Sequence, residues 1–265
     1  MSKSVVATAL ITSLFLGLWG CGGTITKKPP INLESKGKLA LVSYSLNNSI
    51  VEKGKKSDSG PGLLQKKEKY FEDHIEALEG ILDDFLNNMN DVFGNAPVID
   101  IASVTDNETY QNLTKHIPKK VMGKDVAPGA DKLIVKGVNY VSKADTEKLD
   151  KLAQELGVDL LVLVENQAEY SMSGGVGLKM GSLSLRGGAA TLTLKTNLSL
   201  YEPGQGIILN ESFSNDSEEK IPIAQGHVNT KHYPKCLLSA GKKNIDAMKN
   251  FFVEQKNLSQ QPQQP

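Results

Sequence analysis

A helical segment that leads directly into an apolar strand constrains the fold of this chain most strongly. Residues Ser142 to Gly157 predict a helix with an N-cap at Ser142 or Asp145 and a glycine just past its C-terminus. The buried face of this helix is expected to contain Leu149, Leu152, Ala153 and Leu156. Val158 to Glu165 follows as a nearly continuous apolar run, which is typical of a central strand covered on both faces. The chain is therefore expected to have an α/β fold.

A long amphipathic helix is predicted between Leu63 and Phe93. Its apolar positions recur every three or four residues and so lie on one face: Phe71, Ile75, Leu78, Leu82, Phe85, Met89 and Phe93. The other face is strongly acidic, which opposes binding to anionic lipid. We therefore interpret the helix as one that packs on the sheet.

Further strands and a final helix complete the predicted architecture. Apolar runs predict strands at 38–46 and 96–104, and residues 106–115 predict a short helix or loop. Period-two alternation from Thr191 to Leu200, a turn at 202–206 and the run 207–213 predict a hairpin. Residues 234–256 predict the last helix. The fold class is thus α/β, a two-layer or three-layer sandwich in which a mixed sheet is packed by a long N-terminal helix, a middle helix and a C-terminal helix.

The first residues of the chain have the layout of a secretory signal. Lys3 is followed by the uncharged stretch 4–26, whose apolar core, 5–19, is shorter than the roughly 20 apolar residues of a spanning helix. The apolar core runs into Leu18-Trp19-Gly20-Cys21, which resembles the bacterial lipobox, although Trp19 stands where that motif has a small residue. The resemblance implies cleavage after residue 20 and acylation of Cys21. An ordinary cleaved signal or a short anchor is the alternative.

The predicted division of the chain follows from this signal. Residues 1–20 are the signal peptide, 21–37 the lipidated cysteine and a flexible tether, 38–256 a single α/β domain and 257–265 a disordered Gln/Pro-rich tail. By resemblance to bacterial sorting rules, Gly22 favours the outer membrane, with the domain in the periplasm or at the cell surface. Because Cys21 would carry lipid, Cys236 would be the only thiol left, so no internal disulfide is expected.

Charge composition argues against nucleic acid as a partner. The chain has 30 basic and 30 acidic residues, and Arg186 is its only arginine. Nucleic-acid readers concentrate basic charge on one face and use the planar guanidinium for bidentate contacts. The balanced charge also gives no electrostatic reason for membrane residence, which leaves the anchoring to acylated Cys21.

The order of elements resembles a group of bacterial envelope lipoproteins. The matching segments are Leu152-Ala-Gln-Glu-Leu-Gly-Val-Asp-Leu-Leu-Val-Leu-Val164 and the strand Thr191 to Tyr201 with its turn. The group contains the relatives of the curli-secretion lipoprotein CsgG, the penicillin-binding-protein activator LpoB and the N-terminal domain of TolB. This resemblance implies a small α/β envelope domain that binds other proteins or self-assembles, without catalysis and without a cofactor.

Candidate chemical sites are few. His227, His232 and Cys236 could supply nitrogen and sulfur ligands to zinc, which would be needed for a metal-dependent enzyme, but their spacing matches no standard zinc pattern. The glycine-rich segment 173–181 resembles a phosphate-binding loop but lacks the Gly-Lys-Ser/Thr sequence at the end of that motif. We interpret the segment as a connection between strands. Glu165 and Glu169 lie near the end of the central strand, where α/β proteins place ligands.

The segment from Val176 to Leu200 leaves two interpretations open. It predicts either a hairpin packed on its own domain or, as the curli-channel relative implies, a membrane-inserting hairpin of an oligomeric secretion pore. Lys179 and the shortness of 176–185 weigh against insertion.

Overall fold

One mixed sheet organises the domain, and three of its strands, with 21, 20 and 19 residues, are unusually long. The computed structural model describes residues 31, 33, 36–47, 50–52, 68–114, 132–180, 183–224 and 227–260. The predicted signal peptide, Leu18 to Cys21 and most of the predicted tether lie outside these residues. The strands are β1 Leu39–Asn47, β2 Val51–Glu52, β3 Lys132–Leu133, β4 Leu160–Met180, β5 Leu183–Glu202, β6 Gly206–Ala224 and β7 His227–Val228. The helices are α1 Glu68–Val92, α2 Ile101–Thr105, α3 Glu108–Thr114, α4 Thr146–Leu156 and α5 Tyr233–Ser259, the last preceded by a 3₁₀ turn.

The strand order is β3-β1-β4-β5-β6-β7, with β2 beside the distal part of β4. β1 and β4 are parallel, whereas β4, β5 and β6 form an antiparallel meander. The first half of β4 is therefore central, as its apolar sequence predicts, and Leu160 to Val164 are all buried. The predicted α/β class with a mixed sheet is confirmed.

Helices cover both faces of the sheet, so of the two predicted layer arrangements the three-layer one is present. On one face, α1 and α5 pack through a cluster that includes Leu82, Phe85 and Met248 together with Leu198 and Leu200 of β5. On the other face, α2, α3 and α4 pack on the sheet through a second cluster. That cluster includes Val104, Tyr110, Leu149, Leu152, Leu161 and Leu163.

The predicted stripe of α1 is the buried face of this helix. Ile75 is partly buried, the other described members of the stripe are at most 1% exposed, and the side chain of Phe71 lies outside the described residues. α1 and α5 come close together at Gly80 and Gly241. A Cβ atom at Gly241 would lie 2.8 Å from a side-chain carbon of Ile81. The two helices can therefore approach this closely only because residue 241 is a glycine, which has no side chain.

The middle helix ends as the sequence indicates. Gly157 adopts a left-handed conformation at φ 60°, and its N–H donates to the carbonyls of Ala153 and Gln154. At the other end Asp145 occupies the N-cap position, but its side chain makes no capping hydrogen bond. The Ser142 hydroxyl instead accepts from the N–H of Ala144 at 3.3 Å.

Asp150 of α4 holds the turn between β5 and β6. Its Oδ1 accepts from the Tyr201 hydroxyl at 2.6 Å and from the Gly204 N–H at 3.0 Å. These two hydrogen bonds, the Tyr201 bond first, lower the pKa of Asp150. Burial and the Asp150 carboxylate raise the pKa of Tyr201 to about 12, so its hydroxyl remains a donor at neutral pH.

This arrangement predicts a pH-dependent contribution to stability. Because the pKa of Asp150 is lower in the folded state, its stabilising effect is present above the unfolded pKa of about 3.9 and is lost as the pH falls through the folded pKa. Asp150→Asn should therefore lower the melting temperature near pH 7. The gap between wild type and variant should narrow below about pH 4. Thermal unfolding at a series of pH values measures this, and a gap that is constant across the series would contradict it.

One predicted strand is wrong. Residues 96–104 were expected to form a strand, but only Val98 bridges β1, next to Leu39, and α2 begins at Ile101. The Leu39 N–H donates to the Pro97 carbonyl, and the Ile99 N–H donates to the Leu39 carbonyl. Proline at 97 has no N–H for a ladder, so the pairing stays short. The apolar Val104 is instead buried from the helix.

The strands β4 and β5, which form a hairpin with each other, are much longer than predicted. β5 was expected to begin near Thr191 but begins at Leu183, and β4 continues past Glu165 to Met180. The glycine-rich segment 173–180 belongs to β4 itself, and the connection at 181–182 lies outside the described residues. Glycines in that segment therefore mark an irregularity, since the register of β4 and β5 shifts between Ser173 and Val176.

The ends of the domain also differ from their predicted positions. Leu33, inside the predicted tether, is 5% exposed, and the Ile31 N–H donates to Gln255 Oε1 at 3.3 Å. Packing of the chain thus begins before Lys38. α5 continues to Ser259, beyond Lys256, and residues 261–265 of the predicted tail lie outside the described residues.

Candidate functional site

Cys236 and His232, two of the three candidate zinc ligands, lie at the start of α5. Cys236 is fully buried, and its Sγ lies 3.6 Å from the Glu219 carbonyl oxygen. Burial raises the pKa of the Cys236 thiol, which disfavours the thiolate that zinc requires. His232 is the N-cap residue of α5, and His227 lies in β7 with its side chain outside the described set. Among the described residues, no three His, Cys, Asp or Glu side chains are grouped so that they could hold a metal.

Of Glu165 and Glu169, the two acidic residues considered as candidate site residues, only Glu165 forms an ion pair with a buried lysine. The ammonium of Lys132, whose side chain is 9% exposed, forms an ion pair with Glu165. The same Nζ donates to Asn47 Oδ1 at 2.5 Å and lies 5.4 Å from the ring centroid of Tyr140. Glu169 instead accepts from Gln167 Nε2 at 3.4 Å. The sheet register creates the site, because Ser45 pairs with Glu165 and Asn47 pairs with Lys132.

A second lysine extends this charged cluster. Lys143 Nζ donates to Asn210 Oδ1 at 3.3 Å, which also accepts from the Ser199 hydroxyl. Burial lowers the pKa of Lys143; the Glu165 carboxylate opposes that shift and Lys132 adds to it. The cluster links β1, β3, β4 and β6 across one face of the sheet. We interpret it as structural, because Lys132 and Lys143 both have protein partners.

Removing the Glu165 carboxylate should lower the free energy of unfolding, because Lys132 is a buried charge. Glu165→Gln would leave the Lys132 ammonium without its counter-charge. Since the Glu165 side chain is 29% exposed, water offsets part of the loss and we expect destabilisation of about 1–2 kcal/mol. Chemical denaturation measures this. Glu169→Gln is the matched control and should change stability by less than about 0.5 kcal/mol; equal effects of both variants would contradict the assignment.

The most distinctive feature is a two-stranded ribbon that projects past the rest of the sheet. β6 pairs with β5 only as far as Gly188, opposite Ile223. Beyond that point the described pairing involves β4 and β5 alone, from Val176 opposite Gly187 to Met180 opposite Leu183. We call residues 174–188 the ribbon.

Apolar residues of the ribbon occupy one face. The register pairs Leu178 with Leu185 and Met180 with Leu183, and Val176 has the same parity. Lys179, opposite Ser184, has the other parity, as does Arg186. Since alternate residues of a strand belong to opposite faces, the ribbon has one apolar and one polar face by position.

An isolated two-stranded ribbon is at best marginally stable in water. Two strands bury too little apolar surface, and stability requires a third strand, a helix or another protein. Among the described residues, no strand or helix accompanies the ribbon beyond Gly188.

The ribbon and the point where the chain enters the domain lie at opposite ends of the sheet. At the entry end, Lys36 Nζ binds Glu202 Oε1 at 2.6 Å, and Leu161 pairs with Tyr201. The ribbon ends at the pair Met180 and Leu183. A strand rises about 3.3 Å per residue, so these two pairs are separated by about 60 Å along the sheet.

Some of these features were predicted from the sequence. The predictions included Glu165 and the hairpin within 176–200, but not Lys132, whose partners Asn47 and Glu165 come from two strands that are distant in sequence. The open length of the ribbon also depends on where β6 ends, which local patterns do not encode.

Comparisons with known proteins give distant structural similarities. No family model matches the chain, and no curated protein matches it. A neuraminyllactose-binding hemagglutinin homolog from Helicobacter pylori is 12% identical, with coverage of 88% of this chain and 95% of that one and a TM-score of 0.35. The LpoB C-terminal domain from Salmonella enterica is 13% identical, with coverage of 68% and 82% and a TM-score of 0.26. A hypothetical protein from Chlamydia trachomatis is 8% identical, with coverage of 83% and 99% and a TM-score of 0.30.

The described helices are not membrane spans. In the part of the chain that the structure describes, none of them combines the length and apolar character needed to cross a bilayer.

Proposed function

We propose that this protein is a lipid-anchored lipoprotein of the bacterial outer membrane whose domain binds other envelope proteins and does not catalyse a reaction. Two independent features support the proposal. The N-terminal sequence, ending at Leu18 to Cys21, supports the anchor. The projecting ribbon supports the protein-binding role, because two strands alone bury little apolar surface and a partner that covers the apolar face would stabilise them.

The anchor and the ribbon fit one arrangement. Two or three acyl chains on Cys21 would hold the chain stably, since each buried methylene contributes about 0.8 kcal/mol. Nine residues lie between Cys21 and Ile31, where the chain reaches α5, and the ten Cα-to-Cα steps span at most about 35 Å. With the entry end tethered this way, the ribbon can extend away from the bilayer and reach a partner in the space beyond it.

Shortening the ribbon tests the proposal. Ser173 and Ala189 are register partners, so replacing residues 174–188 by Asn-Gly closes the hairpin with a two-residue turn. We expect a melting temperature close to wild type and loss of the complexes that chemical crosslinking recovers from intact envelopes. Retention of the same complexes at full yield by the shortened protein would contradict the role of the ribbon.

A matched pair of substitutions separates the two faces of the ribbon. Leu178→Ser with Leu185→Ser removes two apolar residues that pair with each other, whereas Lys179→Ser with Arg186→Ser changes the polar face. We expect the first variant to lose at least nine tenths of the crosslinked complex and the second to keep most of it. Equal losses would show that the apolar face is not the contact.

A subunit of an oligomeric secretion pore is the second candidate function. The register favours it in one respect, because Lys179 lies on the face opposite Leu178 and so does not interrupt the apolar set. Each arm of the ribbon nevertheless has fewer than the roughly 9–11 residues of a transmembrane strand. Rings seen by electron microscopy of detergent-purified protein would support a pore, and a monomer over a wide concentration range would oppose it.

A further inference from the structure

Asn47, Lys132 and Glu165 lie together on one face of the sheet. They come from three neighbouring strands, β1, β3 and β4. Asn47 and Lys132 are direct register partners, and Glu165 is the partner of Ser45, which has the same parity in β1 as Asn47. Because register partners lie side by side on one face, the sheet itself brings an amine, an amide and a carboxylate together.

The Lys132 nitrogen contacts both of the other groups. Its Nζ lies 2.5 Å from Asn47 Oδ1 and forms an ion pair with Glu165 Oε1. Since Cγ of Asn47 is bonded to Oδ1, a small side-chain rotation brings the amine onto that carbon. The side chain of Lys132 is 9% exposed, Asn47 is half-buried, and the Tyr140 ring centroid lies 5.4 Å from Nζ. Little water therefore competes with the amine for the amide carbon.

We propose that Lys132 and Asn47 join in a covalent isopeptide bond between β3 and β1, with Glu165 as the general base. An amine and an amide react very slowly in free solution, but holding two groups in place corresponds to an effective molarity of roughly 10⁵–10⁸ M. A positioned base adds a further factor of roughly 10²–10⁴ in rate. The fold supplies both effects, and the modification is independent of the proposed binding function.

The reaction is a transamidation that needs no co-reactant. The Glu165 carboxylate takes one proton from the Lys132 ammonium, and the neutral amine attacks Cγ of Asn47. A bond forms between Nζ and Cγ, the bond between Cγ and Nδ2 breaks, and a second proton moves from Nζ to the leaving nitrogen. The ammonia that departs takes up the proton held by Glu165. The products are an amide link and an ammonium ion, and the carboxylate is restored.

A second group of the same chemistry lies between α1 and α5 and serves as an internal control. Lys249 Nζ donates to Asn88 Oδ1 at 2.7 Å and lies 3.7 Å from Asp91 Oδ2. The Asp91 side chain is 68% exposed and the Lys249 side chain 28% exposed. This carboxylate is hydrated and beyond hydrogen-bond distance, so it cannot take the proton directly. We expect Lys249 and Asn88 to remain unlinked.

The bond would fasten the short strand β3 to the sheet. β3 pairs with β1 at only two positions, Leu46 with Leu133 and Asn47 with Lys132. A link between residues that are 85 positions apart in the chain also restricts the unfolded state, as a disulfide does. The loss of stability given above for Glu165→Gln applies to the unlinked ion pair, and loss of the bond adds to it.

Tryptic digestion of the denatured full-length protein detects the bond by mass spectrometry. Trypsin cuts after unmodified lysine, so an unlinked chain yields the separate peptides 39–53 and 125–132. The linked chain should instead yield one branched peptide, 39–53 joined to 125–136, with the summed mass of both less one ammonia. We expect this species to account for nearly all of the signal from the two segments. Recovery of both segments only as unlinked peptides would overturn the inference.

Variants assign the role of each group. Lys132→Arg keeps the positive charge but lacks the amine, and it should abolish the branched peptide. Because a positioned base contributes roughly 10²–10⁴ in rate, freshly purified Glu165→Gln protein should contain at least about tenfold less of it. Glu169→Gln is the matched control and should give the wild-type yield. An undiminished yield in Glu165→Gln, or a link between Lys249 and Asn88 in the same digest, would overturn the assignment of the base.

Discussion

Replacing Cys21 with Ser is expected to abolish incorporation of fatty acid and to release the protein into the soluble fraction. Serine lacks the sulfur that would receive the diacylglycerol group. Without acyl chains the mature domain has no electrostatic reason to stay on a membrane, because its basic and acidic residues balance. Labelling cells with palmitate and fractionating salt-washed membranes measures both effects.

Cys236→Ala is the control for this experiment. Cys236 is the only other cysteine, and it is buried beneath the start of α5. The control variant should incorporate as much palmitate as wild type and remain on the membrane. A Cys21→Ser protein that is fully processed and still membrane-bound would contradict the lipid anchor.

Phe93→Ala should destabilise the domain by about 3–5 kcal/mol, the largest effect expected from a single core substitution. Phe93 is 0% exposed at the end of the α1 stripe. Its ring centroid lies 6.3 Å from that of Phe85 and 5.2 Å from that of Phe252, both in edge-on geometry. The substitution would therefore leave a cavity where α1, α5 and the sheet meet, and would remove two aromatic contacts.

Denaturant unfolding measures the loss of stability, and Val253→Ala is the matched control. Val253 follows Phe252 in α5 but is 55% exposed, so its truncation should change the free energy of unfolding by less than about 0.5 kcal/mol. A Phe93→Ala effect below about 1 kcal/mol would contradict the packing described for the two helices.

The predictions from sequence succeeded where a pattern depends on one element and its immediate neighbours. The α1 stripe and Gly157 are examples, because helical spacing and a left-handed C-cap follow from local geometry. The apolar run at 158–165 identified the central strand for the same reason. Each of these segments has the same character throughout its length, so local sequence was sufficient.

Predictions failed where distant segments decide the structure. Residues 96–104 are apolar enough for a strand, but only Val98 pairs with β1. Val104 is instead buried as part of the helix α2. From sequence alone, Lys132 is expected to be an exposed lysine. It is buried because the register of β1, β3 and β4 places Asn47 and Glu165 beside it. The glycines of 173–180 suggested a loop, although the segment belongs to β4 and pairing with β5 resumes at Val176 after the register shift.

In living cells, a photo-reactive amino acid in the ribbon should crosslink to the protein that the ribbon binds. At position 178, on the apolar face, we expect irradiation-dependent adducts with a second protein that mass spectrometry can identify. At position 148, on the outer side of α4, where the lysine side chain is 56% exposed, we expect none. Absence of adducts at 178, or the same adducts at both positions, would contradict the claim that the ribbon binds an envelope protein.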